Sequence, residues 1–412
     1  MKQRRLTLAA ALAVPTLLLA TACSAGDDGE TATPDGEAGV TALTLWDGWT
    51  QYNTGSSPYE SLIATCEAET GITIERTVSE SIGDTFTQAA GTGDTPDLII
   101  LDNPNVTQFA ETGILVDNAT SGIDTSEMMA NIVASGEYEG ATYGAPVGSN
   151  TLALYYNKDL LDAAGITPPT SWAELVDAAA ALTDPATSTY GLAFSARPDQ
   201  EGSFQFLPFF WGGGAELTDI ASPEAIEALT LWVDLVNDGY ASQENVTLNQ
   251  QEIRDQFTAG HAAMMVNGTW QLNTLDEAGI NYGVVPIPAK DGGEAPSPLG
   301  GEFIIPVQNG DEAKIETAGT FVNCFVNRDN LSEWLNGQTY ISPYRDQADE
   351  QAATDERLAA WVAAVAVARS RTEDLGSTFP TVATKLGEAL SGAVSGQSDP
   401  SSALSAAAAA VQ

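Results

Sequence analysis

Residues 144–175 read GAPVGSNTLALYYNKDLLDAAGITPPTSWAEL, and the elements in this stretch decide which fold the sequence predicts. Apolar side chains recur at every second position over residues 152–156, which is typical of a β-strand. A short helix is predicted to follow, with Asn157 as its cap and Gly165 as the left-handed residue that ends it. A second helix is predicted from Ser171, which begins the capping-box sequence SWAE. The stretch therefore predicts a strand that enters a helical region.

The chain before this stretch alternates strands and helices. Residues 42–46 (ALTLW) and 72–78 (ITIERTV) are predicted strands, and between them Ser57 and Glu60 form a capping box that begins a helix. The unbroken apolar run at residues 97–101 (DLIIL) is typical of a parallel strand covered on both faces. This alternation predicts an α/β fold, in which ligands bind outside the carboxyl ends of the strands.

The second half of the chain is predicted to be more helical. Helices are expected near residues 350–369 and 379–392, followed by an Ala-rich tail. Four tryptophans lie within or at the start of amphipathic helices and are assigned to packing: Trp172, Trp232, Trp334 and Trp361.

The amino terminus is predicted to carry an export signal. Basic residues precede an apolar run that is short for a membrane span, so residues 1–22 are predicted to be a signal peptide. The ending LLLATAC resembles a lipoprotein signal, in which Cys23 is acylated, although Ala20 stands where Leu is usual. The alternative is ordinary secretion with Cys23 discarded or free. Residues 23–40 are acidic and rich in Gly, so a flexible tether is expected there.

The net charge is −41, from 56 acidic and 15 basic residues. This balance excludes a nucleic-acid partner, because no basic stripe is present to displace counterions from phosphates. It favours solubility and has no bearing on the fold.

The sequence lacks the motifs of the common enzyme classes. His261 is the only histidine, and the sequence contains no G-x-S-x-G elbow, phosphate-binding loop or dinucleotide-binding turn. No cluster of His and Cys has the spacing of a metal site. A pair of carboxylates carries no information here, because 56 acidic residues make chance pairs unavoidable. The sequence therefore predicts no enzyme, no metal and no cofactor.

Two cysteines remain once Cys23 is assigned to lipid. Cys66 and Cys324 form an even pair in an exported protein, which makes a disulfide our hypothesis. The alternative is two buried thiols that serve as packing residues.

Six blocks of the sequence carry a family resemblance, in this order: LTLWDGWT, GTGDTPDLIILDNP, LYYNKDL, FTAGHAAMMVNGTW, PLGGEFIIP and TYISPYRD. With these blocks the chain resembles the family 1 extracellular solute-binding proteins, the sugar-binding group of bacterial ABC importers. The resemblance covers nearly all of the chain after Cys23. In the fourth block, His261 stands where the family frequently has Lys.

The resemblance implies a maltose-binding-protein-like architecture. This is the two-lobe periplasmic-binding-protein-like α/β fold of type II, which bends at a hinge where the chain crosses three times between the lobes. The crossings are expected near residues 149–152, 299–303 and 340–345. Lobe 1 is then expected to comprise residues 41–149 and 303–340, and lobe 2 residues 150–302 and 341–412.

Sugars present apolar faces and rings of hydroxyls, so their sites combine aromatic side chains with polar hydrogen-bonding groups. Five candidates lie at the carboxyl ends of predicted strands: Trp46, Asp47, Trp49, Asp102 and Asn103. Two aromatic candidates lie beside glycines in the other half: Trp211 and Trp270. The resemblance adds residues at the crossings: Asn150, Gly301, Glu302, Tyr344 and Arg345. The alternatives are a core position for Trp46, a loop plug for Trp211, a helix staple for Trp270 and an ion pair between lobes for Arg345.

The resemblance implies a lipid-anchored receptor on the outer face of the cell membrane. It is expected to act as a monomer, to capture a sugar or short oligosaccharide by lobe closure, and to deliver it to an ABC permease and its ATPase. The alternatives are a binding protein for a polyol, glycerol phosphodiester or cationic compound, a secreted glycoside-active enzyme, and a surface adhesion module.

Overall fold

A computed structural model describes residues 40–411 of the chain. The predicted signal peptide, the lipidation site at Cys23 and nearly all of the acidic tether lie outside the described residues.

The strands of the described part of the chain are two to seven residues long. They are β1 (Ala42–Asp47), β2 (Thr73–Val78), β3 (Leu98–Asp102), β4 (Glu137–Tyr138), β5 (Ala141–Thr142), β6 (Ala145–Pro146), β7 (Leu152–Asn157), β8 (Tyr190–Ala193), β9 (Ala262–Gly268), β10 (Tyr282–Val285) and β11 (Glu302–Pro306).

Helices connect the strands and make up most of the carboxyl-terminal part. They are α1 (Pro58–Thr70), α2 (Ile82–Thr92), α3 (Asn103–Glu111), α4 (Asn118–Ser121), α5 (Ala130–Val133), α6 (Lys158–Ala164), α7 (Trp172–Leu182), α8 (Gln200–Gly212), α9 (Pro223–Asn237), α10 (Gln250–Thr258), α11 (Leu272–Glu277), α12 (Glu312–Phe325), α13 (Arg328–Gln338), α14 (Arg345–Thr354), α15 (Ala359–Val367), α16 (Phe379–Val394) and α17 (Pro400–Ala410).

The first sheet has the strand order β2-β1-β3-β11-β6. Strands β1, β2 and β3 are parallel, whereas β11 runs antiparallel to both β3 and β6. Helices α1, α12 and α13 pack together beside this sheet. Its core includes Leu45, Ile100, Phe321 and Trp334. The run at 97–101 is buried as predicted, because β1 and β11 flank β3 in the sheet and helices cover it.

The second sheet has the order β10-β7-β9-β8, and β7 runs antiparallel to both of its neighbours. Strand β7 is the strand predicted from the opening stretch, and its apolar residues are buried. Helices α8, α9, α16 and α17 pack together on this side of the molecule. Their core contains Phe206, Trp232 and Leu386.

The three segments expected to cross between lobes lie side by side. Ser149 and Ile341 exchange backbone hydrogen bonds of 2.9 and 2.8 Å, and Asn150 and Gly300 exchange bonds of 3.1 and 2.9 Å. One strand-like ribbon therefore contains all three segments, and it joins the ends of the two sheets.

The predicted helix starts are present, because side chains satisfy the free N–H groups of the first turn. Ser57 and Glu60 form a complete capping box, and the Asn157 side chain accepts from the backbone N–H of Leu160. Gly165 is left-handed, with φ +67°. At Ser171 only half of the box forms, because Glu174 Oε2 accepts from Thr170 N–H instead, at 2.8 Å.

The expectation of one helix near residues 350–369 was wrong. The structure has α14 and α15, separated at Asp355, whose carboxylate accepts from the backbone N–H of Arg357 at 3.0 Å. This local side-chain bond offers the backbone an alternative to the helical ladder. The Ala-rich tail is itself a helix, α17, capped by Asp399 and packed on α16.

A disulfide joins Cys66 in α1 to Cys324 in α12, with a Cα–Cα distance of 5.7 Å. The two cysteines are 258 residues apart in sequence, so the bridge links two helices that pack beside the first sheet but are distant in the chain. The four tryptophans assigned to packing, Trp172, Trp232, Trp334 and Trp361, are buried.

Within residues 40–411, no helix combines the length and apolar character that crossing a membrane requires. The same residues contain no group of three or more His, Cys, Asp or Glu arranged to hold a metal ion.

Candidate functional site

A cavity of about 780 Å³ opens where the crossing ribbon meets the loops at the ends of both sheets. Its volume lies in the range of sites that enclose small molecules. The lining includes half of the residues predicted from the sequence: Trp49, Asp102, Asn150, Trp270, Gly301 and Glu302.

Strand ends deliver the first group of these residues. Asp102 is the last residue of β3, and Glu302, the first residue of β11, lies opposite it in the antiparallel register. Trp49 follows β1, at the same edge of the sheet. The carboxyl ends of parallel strands meet at one edge, which is why residues far apart in sequence converge here.

Asp47 does not line the cavity; it is completely buried and holds Trp49 in place. Its carboxylate accepts from Arg76 Nε at 2.6 Å and Nη2 at 2.8 Å, and from the backbone N–H of Trp49 at 2.9 Å. The Tyr59 hydroxyl donates to the same carboxylate at 3.2 Å. The Trp49 ring then packs 4.7 Å from the Trp334 ring, measured between centroids. Asp47 is therefore a positioning residue for an aromatic wall of the cavity.

Arg371 lines the cavity and connects distant segments. Its side chain is 4% exposed. Nη1 donates to Asp102 Oδ2 at 2.8 Å, Nη2 to Asn103 Oδ1 at 2.8 Å, and Nε to the Leu299 carbonyl at 3.0 Å. The guanidinium also lies 4.8 Å from the centre of the Phe204 ring. Its donors are thus directed at protein acceptors.

Glu302 carries an incompletely bonded carboxyl group. Its Oε1 accepts from the Tyr340 hydroxyl at 3.4 Å, whereas Oε2 is buried and has no partner that meets both the distance and the angle of a hydrogen bond among the described residues. The Trp49 side chain lies close enough to this carboxyl group to act against the rise of its pKa. Burial raises the pKa of Glu302 to about 8, and the neighbouring Asp102 adds to the shift. An unbonded buried acceptor is costly, so this atom is a ready acceptor for a ligand.

A second carboxyl group faces the cavity from the other side. Glu201, in the first turn of α8, accepts from the Ser195 hydroxyl at 3.1 Å and from Gln250 N–H at 2.9 Å. Burial raises the pKa of Glu201 to about 7, and Asp199 contributes in the same direction. Both sides of the cavity therefore present a carboxyl group that holds its proton near neutral pH.

The Trp270 ring lies directly over Gly268. A Cβ atom at position 268 would lie 2.1 Å from the ring, so only glycine allows this placement. The ring centroid is 6.5 Å from that of Phe204, and the indole N–H is buried without a partner among the described residues. The arrangement supplies an aromatic face and an available donor on the second-sheet side.

The other predicted residues lie outside the cavity lining. Trp46 packs against the cluster around Phe86, Tyr344 is buried with its hydroxyl on the Val326 carbonyl at 2.9 Å, and Arg345 is exposed. Trp211 is buried beneath the Arg369 guanidinium. Asn103 is buried behind the lining, where its side chain accepts from Arg371 and its backbone N–H donates to the Gly301 carbonyl at 3.0 Å. Because Arg345 is exposed and outside the lining, it offers no positive charge to a ligand in the cavity.

Several lining residues were not predicted from the sequence: Tyr52, Glu201, Phe204, Gln250, Tyr340 and Arg371. Glu201 and Gln250 lie in the first turns of helices. Polar residues are common there because they stabilise the helix start, so their sequence position did not indicate a binding role. Arg371 lies in a loop and had no local signal, because its partners are more than 70 residues away.

The protonated carboxyls predict a pH dependence of stability. The Glu302 carboxyl keeps its proton in the folded state, whereas in the unfolded chain it releases the proton near the ordinary pKa of 4.5. The contribution of this protonated carboxyl to the free energy of unfolding is therefore complete below about pH 4.5. It is lost as the pH rises through about 8 for Glu302. We expect the free energy of unfolding to fall over this interval, and Glu302→Gln to reduce the slope. Urea unfolding at a series of pH values measures both slopes; equal slopes would contradict the assignment.

The family model described as bacterial extracellular solute-binding protein matches residues 61–366, and the chain belongs to this family. The family resemblance of the sequence blocks is thereby confirmed.

Relatives carry names of binding proteins. The chain is 26% identical over 268 residues to a binding protein of Brucella abortus (strain 2308), covering 61% of this chain and 64% of that protein. It is 29% identical over 251 residues to the maltotriose-binding protein of Pyrococcus abyssi (strain GE5 / Orsay), covering 59% and 53%. The matches thus span less than two thirds of the length of these curated relatives.

Solved structures share the fold. A solute-binding protein from Thermotoga lettingae TMO, bound with alpha-D-tagatose, superposes with a TM-score of 0.80 at 23% identity, covering 90% of this chain and 98% of that one. The GacH receptor of Streptomyces glaucescens GLA.O, solved without ligand and with acarbose, gives a TM-score of 0.78 at 26% identity, covering 90% and 97%. The predicted two-lobe α/β fold is therefore confirmed.

Proposed function

We propose that this chain is the substrate-binding component of an ABC importer and captures a sugar or short oligosaccharide between its two lobes. The observation that carries the proposal is the cavity of about 780 Å³, to which both sheets contribute an aromatic face and carboxyl groups. Trp49 and Trp270 supply the aromatic faces, and Asp102, Glu201 and Glu302 supply the polar groups.

This combination suits carbohydrate chemistry. The C–H faces of a sugar ring pack on aromatic rings, while its hydroxyls hydrogen-bond to carboxyl and amide groups. Side chains that are already held by the protein lose little conformational entropy when the ligand binds. Asp47 holds the Trp49 backbone in this way, and Gly268 allows the Trp270 ring to lie flat.

The named ligands of relatives support the same class. One relative is named as a maltotriose-binding protein, and the GacH receptor, at 26% identity, has been solved with acarbose.

Ligand capture is proposed to proceed by lobe closure. A ligand that contacts both lobes binds the closed state more tightly and shifts the population towards it. We take lobe 1 as residues 41–149 and 303–340 and lobe 2 as residues 150–302 and 341–412. The ribbon through Ser149, Gly300 and Ile341 is then the hinge.

The cellular setting is proposed from the sequence and the family. The chain is exported, anchored through acylated Cys23 to the outer face of the cell membrane, and acts as a monomer with an ABC permease and its ATPase. Its role is binding rather than catalysis, which the names of its relatives support.

Titration calorimetry tests the proposed ligand class. Purified protein is titrated with mono- to tetrasaccharides of gluco, galacto and manno configuration, and with glycerol and glycerol phosphodiesters. We expect saturable binding to at least one carbohydrate. Binding to the phosphodiester alone, or to no carbohydrate, would contradict the proposal.

Truncation of the second aromatic face is expected to weaken binding. Trp270→Ala removes roughly half of a tryptophan surface from ligand contact, or about 2 kcal/mol, which corresponds to an affinity about 30-fold lower. Calorimetry with the carbohydrate that binds the natural protein most tightly measures this loss of affinity. Trp270→Phe is expected to retain part of the affinity because it keeps an aromatic ring.

Gly268→Ala provides an independent variant, because the added Cβ would displace the ring while Trp270 itself remains. We expect it to weaken binding in the same direction. Unchanged affinity in both Trp270→Ala and Gly268→Ala would exclude the ring from the site.

A further inference from the structure

We propose that the natural ligand is an amine-bearing carbohydrate and that Glu302 receives its ammonium group. The inference rests on the proposed function and specifies its substrate class.

The charges that line the cavity favour a cation. Two guanidinium groups, those of Arg254 and Arg371, line it together with five carboxyl groups: Glu80, Asp102, Glu201, Glu277 and Glu302. Glu201 and Glu302 hold their protons near neutral pH, and Arg371 neutralises Asp102, so the uncompensated charge of the lining is that of Glu80 and Glu277. This remaining negative charge attracts a cation.

Both arginines are already engaged. Arg371 binds both carboxylate oxygens of Asp102 and the side chain of Asn103. Arg254 Nη2 donates to Asp255 at 2.6 Å, and its Nη1 donates to Gln271 at 3.2 Å. An anionic ligand would have to break these bonds to find a cation, so phosphate and uronate groups fit the site poorly.

Glu302 is the lining carboxyl group with a buried oxygen that accepts no hydrogen bond from the described residues. Asp102 is neutralised by Arg371, and Glu201 accepts two hydrogen bonds from protein groups, both on Oε1. By contrast, Glu302 Oε2 is buried and accepts none from the described residues. A ligand that donates to this oxygen would complete its hydrogen bonding, and a charged donor gives the stronger bond.

The surroundings of Glu302 also suit an ammonium group. The groups that face it are Tyr340, Tyr52 and Trp49, together with the Asp102–Arg371 pair. Aromatic rings attract a cation through their electron-rich faces. The positive charge of Arg371 is already balanced by Asp102. An ammonium group of the ligand would therefore be the cation that balances a carboxylate at Glu302.

Binding of an ammonium ligand should release a proton. Burial raises the pKa of Glu302 to about 8, so the empty site holds a carboxylic acid at neutral pH. When the ammonium N–H donates to Oε2, the carboxyl O–H bond breaks and its proton passes to the buffer. A neutral sugar leaves that proton in place, because it brings no charge to stabilise the carboxylate.

Calorimetry on the whole folded protein tests the inference with matched pairs of probes. Glucosamine and galactosamine, and their β-linked dimers to tetramers, are compared with the N-acetylated sugars of the same length at about pH 6, where amines are protonated. Buffers with different ionisation enthalpies report the protons released. We expect the amine to bind at least about tenfold more tightly in one pair, with proton release, and Glu302→Gln to abolish both effects.

Glu316→Gln is the control, since Glu316 is an exposed glutamate in α12 that lies outside the cavity lining. We expect it to keep the amine preference. Retained binding of neutral sugars by Glu302→Gln shows that this variant is folded.

Three results would overturn the inference: equal or tighter binding of the N-acetylated sugars, an amine preference that survives in Glu302→Gln, or no binding in either series. The first two leave the proposed sugar-binding function intact when neutral sugars bind. The third, together with failure of the wider carbohydrate panel, overturns that function as well.

Discussion

Asp47→Ala is expected to lower the free energy of unfolding by about 3–5 kcal/mol, because removal of one partner leaves the other partner of a buried ion pair uncompensated. Asp47 is completely buried, and its partner Arg76 has a side chain that is 11% exposed. The backbone of Trp49 and the hydroxyl of Tyr59 lose an acceptor at the same time. Urea unfolding measures the effect, and ligand affinity should fall as well because Trp49 loses its support.

Asp94→Ala is the control for this variant, because Asp94 is an exposed aspartate in the loop before β3. It is expected to change the free energy of unfolding by less than about 0.5 kcal/mol. Similar small effects of both substitutions would show that the buried pair does not stabilise the fold.

Loss of the disulfide is expected to cost about 2–5 kcal/mol, because the bridge restricts the unfolded chain across a long loop. Cys66 and Cys324 lie 258 residues apart, and they join α1 to α12 beside the first sheet. The double variant Cys66→Ser with Cys324→Ser should unfold at lower urea concentration, and its ligand affinity should be unchanged because neither residue lines the cavity.

Reductant provides the internal control. It should destabilise the natural protein to about the level of the double variant and leave the double variant unaffected. A natural protein whose unfolding is insensitive to reductant would contradict a stabilising bridge.

Local signals in the sequence were sufficient for much of the fold. The capping box at Ser57 and the left-handed Gly165 marked helix limits correctly, because these features depend on neighbouring residues alone. The buried run at 97–101 marked the central strand β3, which is parallel to β1. The break at Asp355 was missed, since a side-chain bond to the backbone competes with an otherwise helical pattern.

The site could be predicted only in part. Trp49 and Asp102 were found because strand ends converge at one edge of a sheet. Asp47 lies at the same edge, but its carboxylate is bound by Arg76 from the adjacent parallel strand β2 and therefore does not line the cavity. Arg371 lies 269 residues from Asp102 and reaches it only through tertiary packing, so no local pattern revealed it.

The central claim is that a carbohydrate is captured between two lobes that close on it. Small-angle X-ray scattering of the protein, with and without a saturating carbohydrate chosen by calorimetry, tests the claim most directly. We predict that the radius of gyration of the natural protein falls when the ligand saturates it. The Trp270→Ala variant should show the same fall, but only at the higher ligand concentration that its weaker affinity requires. Saturable binding with an unchanged radius of gyration would contradict the account.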